Sequence, residues 1–178
     1  MNDIPTLSTS HLTLRPFLRT HDAPALHTIL NEKDILRYFP TLQAPTLEQT
    51  QKFITRQLEH WKDHGFGWWA VTHRENRTLL GWNGLQYLPE TDEIEVGFLL
   101  SKTYWGKGFA TEGARASLQY GFEELKLEQI VGIVHPQNIA SQKVLKKSGL
   151  SFTREDEYFG MQVHRYEVNL SAFKKPKS

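Results

Sequence analysis

Apolar and polar residues alternate over residues 11–17, placing Leu12 and Leu14 on one side of an expected strand. Helical spacing replaces alternation soon after. Asp22-Ala23-Pro24 has the character of a helix start, and Ala25, Leu26, Ile29 and Leu30 give that helix an apolar face. Thr46-Leu47-Glu48-Gln49 fits a capping box, in which hydroxyl and carboxamide each satisfy a free backbone N–H. The helix it opens is expected to run to Gly65, a residue suited to a left-handed terminator. Three strands are then predicted in series, over 67–73, 78–88 and 93–100. Their connections, Arg74-Glu75-Asn76 and Pro89-Glu90-Thr91-Asp92, are short and favour an antiparallel meander.

The pattern then changes. Residues 108–125 put Ala114, Leu118, Gly121, Phe122 and Leu125 on one helical stripe. Residues 129–134 form a short apolar strand. Pro136-Gln137-Asn138 leads into another helix, with Val144 and Leu145 inward and Gly149 at its end. Segments 151–158 and 161–170 alternate again and close as a hairpin. The order predicts a mixed α/β sheet with a helix on each side of a late central strand. No repeat, low-complexity tract or linker divides the chain. Residues 1–178 therefore read as one domain, with a core over 8–172 and a basic tail over 173–178.

Composition narrows the function. The 178 residues are 39% hydrophobic and 23% charged, ordinary values for a soluble globular chain. Lys and Arg (21) nearly balance Asp and Glu (20), for a formal charge of +1, which gives no general case for nucleic acid. With no cysteine, disulfides, a thiol nucleophile and thiolate metal sites are all excluded. Met1 is followed by polar residues and no long apolar run appears, so a cytoplasmic protein without a membrane span is expected. His60 and His64 stand one helical turn apart, but Trp61-Lys62-Asp63 between them lacks the metalloprotease glutamate, and no third ligand is near. No metal is expected.

The most informative stretch is Tyr104-Trp105-Gly106-Lys107-Gly108-Phe109-Ala110-Thr111, between the strand ending at Leu100 and the helix beyond. Glycines just before a helix let backbone N–H groups crowd an anion that the helix dipole also favours, so a phosphate or pyrophosphate is the expected guest. A Walker loop is excluded, because Lys107 is followed by Gly108 and Ser101 holds the first glycine position. A dinucleotide fingerprint lacks its third glycine, since Thr111 stands there, and a meander precedes the loop instead of a βαβ entry.

Three motifs in register carry a resemblance. They are Glu95-Val96-Gly97-Phe98-Leu99-Leu100, then Trp105-Gly106-Lys107-Gly108-Phe109-Ala110-Thr111-Glu112, then His135-Pro136-Gln137-Asn138-Ile139-Ala140-Ser141 with Val144-Leu145-Lys146-Lys147-Ser148-Gly149. Together with Leu12-Thr13-Leu14-Arg15-Pro16-Phe17 the chain resembles the Gcn5-related N-acetyltransferase (GNAT) superfamily, in its branch of ribosomal-protein-alanine N-acetyltransferases. The resemblance implies a mostly antiparallel sheet with a splayed cleft for acetyl-coenzyme A. The pantetheine arm would pair with backbone near Phe98 and Leu100, helped by a bulge at Gly97, and the pyrophosphate would meet Trp105, Gly106, Lys107, Gly108, Ala110 and Thr111. Asn138, Ser141 and Lys143, with Lys147, would complete the cofactor side. Thr103 stands where the family has Gln or Arg, a small departure because backbone N–H groups grip the phosphate.

Acetyl transfer to an amine requires a base for the ammonium, a donor for the thioester oxygen and a proton for the departing thiolate. Glu93 and Glu95 share one strand face; Glu95, nearer the splay, is the expected base, with Glu93 as its substitute. The N–H near Phe98 is the expected oxyanion donor. The family's usual tyrosine acid is replaced by Leu145, leaving Ser141 as the candidate near the sulfur. Glu112 reads as a helix-dipole partner and His135 as a turn residue. Trp68, Trp69, Trp82 and Trp105 are expected to fill core or line a groove, and some of them, with Tyr38, Phe39 and Tyr158, to shape the acceptor pocket. The expected activity is direct transfer in a ternary complex to a protein N-terminal or small-molecule amine, by a monomer or by a homodimer built on the final hairpin's edge. A non-catalytic acyl-coenzyme A sensor is the alternative, and a nucleotide-dependent oxidoreductase a distant third.

Overall fold

The computed structural model of the chain describes residues 3–173; of the expected basic tail only Phe173 lies within them. Strands β1 (Leu7–Ser8) and β2 (Leu12–Arg15) precede helices α1 (Ala23–Leu30) and α2 (Leu47–His64). The meander follows as β3 (Trp68–His73), β4 (Leu79–Leu88) and β5 (Glu93–Leu100). A 3-10 turn (Lys102–Tyr104) leads to α3 (Phe109–Glu123), then β6 (Gln129–Val134), α4 (Ile139–Ser148), β7 (Ser151–Tyr158), β8 (Met161–Asn169) and the short α5 (Leu170–Phe173). One eight-stranded sheet results, in the order β1-β2-β3-β4-β5-β6-β8-β7. Every neighbouring pair is antiparallel except β5 and β6. No helix of the described residues is long and apolar enough to cross a membrane.

The helices cover both faces of this sheet. Trp69 and Ala70 are consecutive on β3 and so point to opposite sides. Trp69 shares a core with Leu85, Ala114, Leu118, Phe122 and Ile130, which seats α3. Ala70 shares the other core with Leu26, Ile29, Ile54, Trp82 and Leu99, which seats α1 and α2. Burying each such large side chain contributes about 1.5–3 kcal/mol. In α1 it is Ala23, not the expected Ala25, that joins this face, because Ala23, Leu26 and Leu30 share one helical stripe; Ala25 is exposed.

Local chemistry sets the element ends. Thr46 and Gln49 form the expected capping box, and Gly65 ends α2 at φ +76°. Gly149 likewise ends α4 at φ +108°. The expected bulge at Gly97 is absent: β4 and β5 stay in register from Gly81 opposite Leu100 to Leu88 opposite Glu93. Gly97 serves a different need, since a Cβ there would lie 3.2 Å from the Trp68 indole nitrogen. Register shifts lie instead between β3 and β4, at Val71/Thr72, and between β7 and β8, at Phe152/Arg154. Glu112 does more than complement a dipole. Its carboxylate accepts from the Thr9 hydroxyl at 2.5 Å and the His11 N–H at 2.7 Å, tying α3 to the β1–β2 turn. The outer edge β7 carries Arg154, Glu155, Asp156 and Glu157, charges that oppose edge-to-edge pairing.

His60 is fully engaged in this frame. Its Nδ1 lies 2.8 Å from the Phe66 carbonyl, and its Nε2 accepts from the Tyr87 N–H at 3.3 Å. Those partners require the neutral ring, and burial lowers its pKa below the ordinary 6.5. The folded state therefore binds fewer protons here than the unfolded chain. The resulting stability is present above pH 6.5 and lost as pH falls towards the depressed value. Thermal melts of wild type should show Tm falling below pH 6.5 more steeply than those of His60→Gln; parallel curves would refute this role.

Candidate active site

The site forms where β5 and β6 diverge. They meet at Glu95 opposite Val131, and beyond it β5 runs on towards Leu100 with β4 as its sheet partner. The Ser101 N–H bonds the Leu80 carbonyl at 2.8 Å. Antiparallel alternation then turns the backbone groups of Leu99 and Gly97 towards β4, and those of Phe98 and Leu100 towards the gap. At Leu100 the carbonyl already accepts from the Trp105 indole N–H at 2.7 Å, leaving its N–H facing the cleft.

Two cavities occupy the divergence. The larger, about 620 Å³, is bounded by Leu100, Trp105, Gly106, Gly108, Ala110 and Thr111 on one side and by Ser141, Lys143 and Lys147 on the other. Gly106 (φ +75°) and Gly108 (φ +83°) adopt left-handed conformations that a side chain would strain. The first intrahelical bond of α3 runs from Glu112 N–H to the Gly108 carbonyl. The N–H groups of Phe109, Ala110 and Thr111 thus precede the helical ladder and stand at its positive end. Such donors fit a pyrophosphate. Lys107 does not line this cavity; its ammonium lies 5.1 Å from the Tyr104 ring centroid.

The smaller cavity, about 280 Å³, adjoins the larger one where β5 and β6 part. Trp68, Trp82, Phe159 and Met161 wall it, and Glu95 and His135 also reach it. Tyr38, Phe39, Phe98, Asn138 and Ser141 line both cavities, so the two join there. The Asn138 carboxamide accepts from the Ser141 N–H at 3.1 Å and caps α4. This cap fixes the helix start and with it the position of the Ser141 hydroxyl at the junction.

The two carboxylates separate sharply. Burial, the largest influence, pushes the Glu95 carboxyl up to about 8, the Glu93 charge adds to this, and a hydrogen bond from the Ile133 backbone opposes it. Glu93 does not line the smaller cavity. It pairs with Arg165 at 2.6 Å and accepts from the Tyr158 hydroxyl. Burial would raise its pKa, but the hydrogen bonds from Tyr158 and Arg165 and the guanidinium charge hold it below the ordinary carboxylate value. Its proton affinity is low and its oxygens are taken, which removes Glu93 as the expected substitute base. Arg165 itself is 4% exposed and also bonds Glu167, so this cluster pins β5 to β8. Leu145 is buried beside Gly132, where an added Cβ would come 2.6 Å from its side chain, so no hydroxyl stands at the family's usual acid position.

A family model described as an acetyltransferase (GNAT) domain matches residues 11–151. The chain belongs to the GNAT family. Among curated relatives of this acetyltransferase is the uncharacterized N-acetyltransferase YoaA of Bacillus subtilis, 27% identical over 177 residues, covering 97% of this chain and 98% of the relative. Among solved structures, an acetyltransferase from Agrobacterium tumefaciens is 28% identical with a TM-score of 0.82, covering 95% and 96% of the two chains. The fold is also that of RimL, a ribosomal L7/L12 α-N-protein acetyltransferase solved in complex with coenzyme A. That match has a TM-score of 0.78 at 18% identity and covers 95% of this acetyltransferase and 98% of RimL.

Several residues of the acetyltransferase site escaped the sequence reading. Tyr38 and Phe39 are where they were expected, but Tyr158 faces Glu93 and its neighbour Phe159 lines the cavity instead. Gln86 and Met161 were also missed. His135 does hold its turn, its Nδ1 accepting from the Gln137 N–H at 3.2 Å, yet its ring also stacks on Tyr38 with centroids 5.1 Å apart. One signal was present for Phe159: an aromatic residue directly before Gly160 in a two-residue hairpin turn, where Asn or Asp is the usual occupant.

Proposed function

We propose that this chain is an acetyl-coenzyme A-dependent N-acetyltransferase that acts on an amine by direct transfer in a ternary complex. The observation that carries this reading is the junction of the two cavities at Phe98, Asn138 and Ser141, with Glu95 on the acceptor side. The larger cavity takes the coenzyme through the free N–H groups at the start of α3, and the coenzyme A complex of a fold neighbour supports that placement. The bound thioester supplies an activated acetyl group: a C–N bond forms as the C–S bond breaks. Glu95 takes the ammonium proton, and a pKa near the operating pH suits that task. The Phe98 N–H, directed into the gap, is the donor for the thioester oxygen. Ser141 offers its hydroxyl to the departing sulfur. The chain has no cysteine to carry an acyl-enzyme thioester, consistent with direct transfer.

Calorimetric titration with acetyl-coenzyme A, followed by a thiol-release assay over a panel of amines, tests the reading. One-to-one binding and amine-dependent thiol release are expected. Binding without turnover of any amine would favour an acyl-coenzyme A sensor, and no binding would overturn both.

A further inference from the structure

The hairpin joining β7 to β8 is built at a conformational disadvantage. Tyr158 pairs with Met161, so only Phe159 and Gly160 make the turn. Their φ values are +54° and +70°, the signature of a type I′ turn. That turn favours Asn or Asp at its first position, because a bulky L-residue is poorly tolerated in the left-handed region. Phenylalanine there is strained, and the residue remains 46% exposed. The fold gains little from such a residue. The residue does, however, line the smaller cavity, as Phe39 and Trp82 do. Strain held in place at the rim of a site marks a residue kept for what binds against it.

The rest of the cavity states what that is. Glu95 is the only carboxylate among its described lining residues, and His135 is the only imidazole there. Trp68 and Trp82 stack at 3.9 Å between centroids and present a continuous aromatic wall. A volume of about 280 Å³ lies at the lower limit of ligand pockets and suits one ring-sized body. A polyamine or aminoglycoside would bring further ammonium groups against aromatic and aliphatic walls with no carboxylate to meet them, which is costly.

We propose that the acceptor is a primary amine with one positive charge and an apolar, ring-sized body, and that Phe159 selects it by closing over that body. This rests on the acetyltransferase reading above. A free small molecule and an apolar N-terminal residue of a peptide both supply such an amine; the shared chemistry is an amine beside a compact apolar group.

The test compares phenethylamine, a tripeptide with N-terminal Phe, spermidine and kanamycin as acceptors at saturating acetyl-coenzyme A. It uses the full chain and its Phe159→Asn variant. Phenethylamine or the tripeptide should exceed spermidine and kanamycin in kcat/KM by about tenfold or more, with the better of the two identifying the source. Phe159→Asn relieves the turn, so its Tm should rise by about 2–4 °C. The same variant should raise KM for the apolar amine about tenfold while leaving the acetyl-coenzyme A KM unchanged. A purely structural residue would not move stability and acceptor KM in opposite functional directions. Preference for spermidine or kanamycin, an unchanged acceptor KM, or a lowered Tm would overturn the proposal while leaving the transferase reading intact. Thiol release with none of the amines would overturn the transferase reading itself.

Discussion

Glu95→Gln should lower kcat/KM for the amine by about 10²–10⁴-fold while leaving acetyl-coenzyme A affinity near that of wild type. The residue lines the smaller cavity and does not line the larger one. A glutamine keeps the shape and polarity but accepts no proton. The pH dependence makes the test specific. In wild type, kcat/KM should rise with pH and level off above about 8, as the Glu95 carboxyl ionises. In the variant that limb should vanish, leaving only the titration of the amine itself. Stability supplies an independent readout. A raised carboxyl pKa means that the folded chain holds a proton which the unfolded chain releases. The associated stability is complete below the ordinary value of 4.5 and is lost as pH rises through about 8. Glutamine removes that loss, so the variant should melt above wild type at pH 9 and close to it at pH 5. Unchanged turnover, or a variant less stable at pH 9, would remove Glu95 as the base.

How far the site was legible depends on which physical rule places each residue. Glu93 and Glu95 were correctly assigned to one strand because a period of two is fixed by the backbone. The difference between their surroundings was not legible. It comes from Arg165 and Tyr158, 72 and 65 residues further along, which reach Glu93 and leave Glu95 in the cavity. The same limit explains the β5–β6 region: β4 and β5 announce themselves as a meander with a short turn, whereas the parallel contact at Val131 arrives only after α3.

The helix caps were read well for the opposite reason. Thr46 with Gln49, Gly65, Asn138 and Gly149 act within a few residues of themselves, so local sequence contains the whole interaction. Gly97 was misread because a glycine in a strand has more than one use. A bulge and a close approach leave the same mark in sequence, and here the Trp68 indole occupies the missing side chain's space. Phe159 was passed over because turns are read for the residues that favour them. The informative feature was a residue that does not.

Ala110→Pro should weaken acetyl-coenzyme A binding by about 10- to 100-fold with little change in Tm. The substitution deletes one backbone N–H and nothing else that the helix uses. Ala110 is the second residue of α3, and the ladder begins with the Glu112 N–H, so no intrahelical bond is lost. Proline restricts the residue before it, yet Pro24 already occupies the same second position in α1 of this chain. Losing one hydrogen bond to a charged phosphate costs about 1.5–3 kcal/mol, and each 1.4 kcal/mol is about tenfold in affinity. Calorimetry with acetyl-coenzyme A reads the effect directly. Thr111→Ala, which retains every N–H, should bind near wild type, because the grip belongs to the backbone and not to the side chain. Once the coenzyme is saturating, Ala110→Pro should turn over at close to the wild-type kcat, since the amide lies at the phosphate end and not at the junction beside Ser141. An affinity unchanged by the proline would mean that the start of α3 does not hold the pyrophosphate, and the larger cavity would then need another occupant.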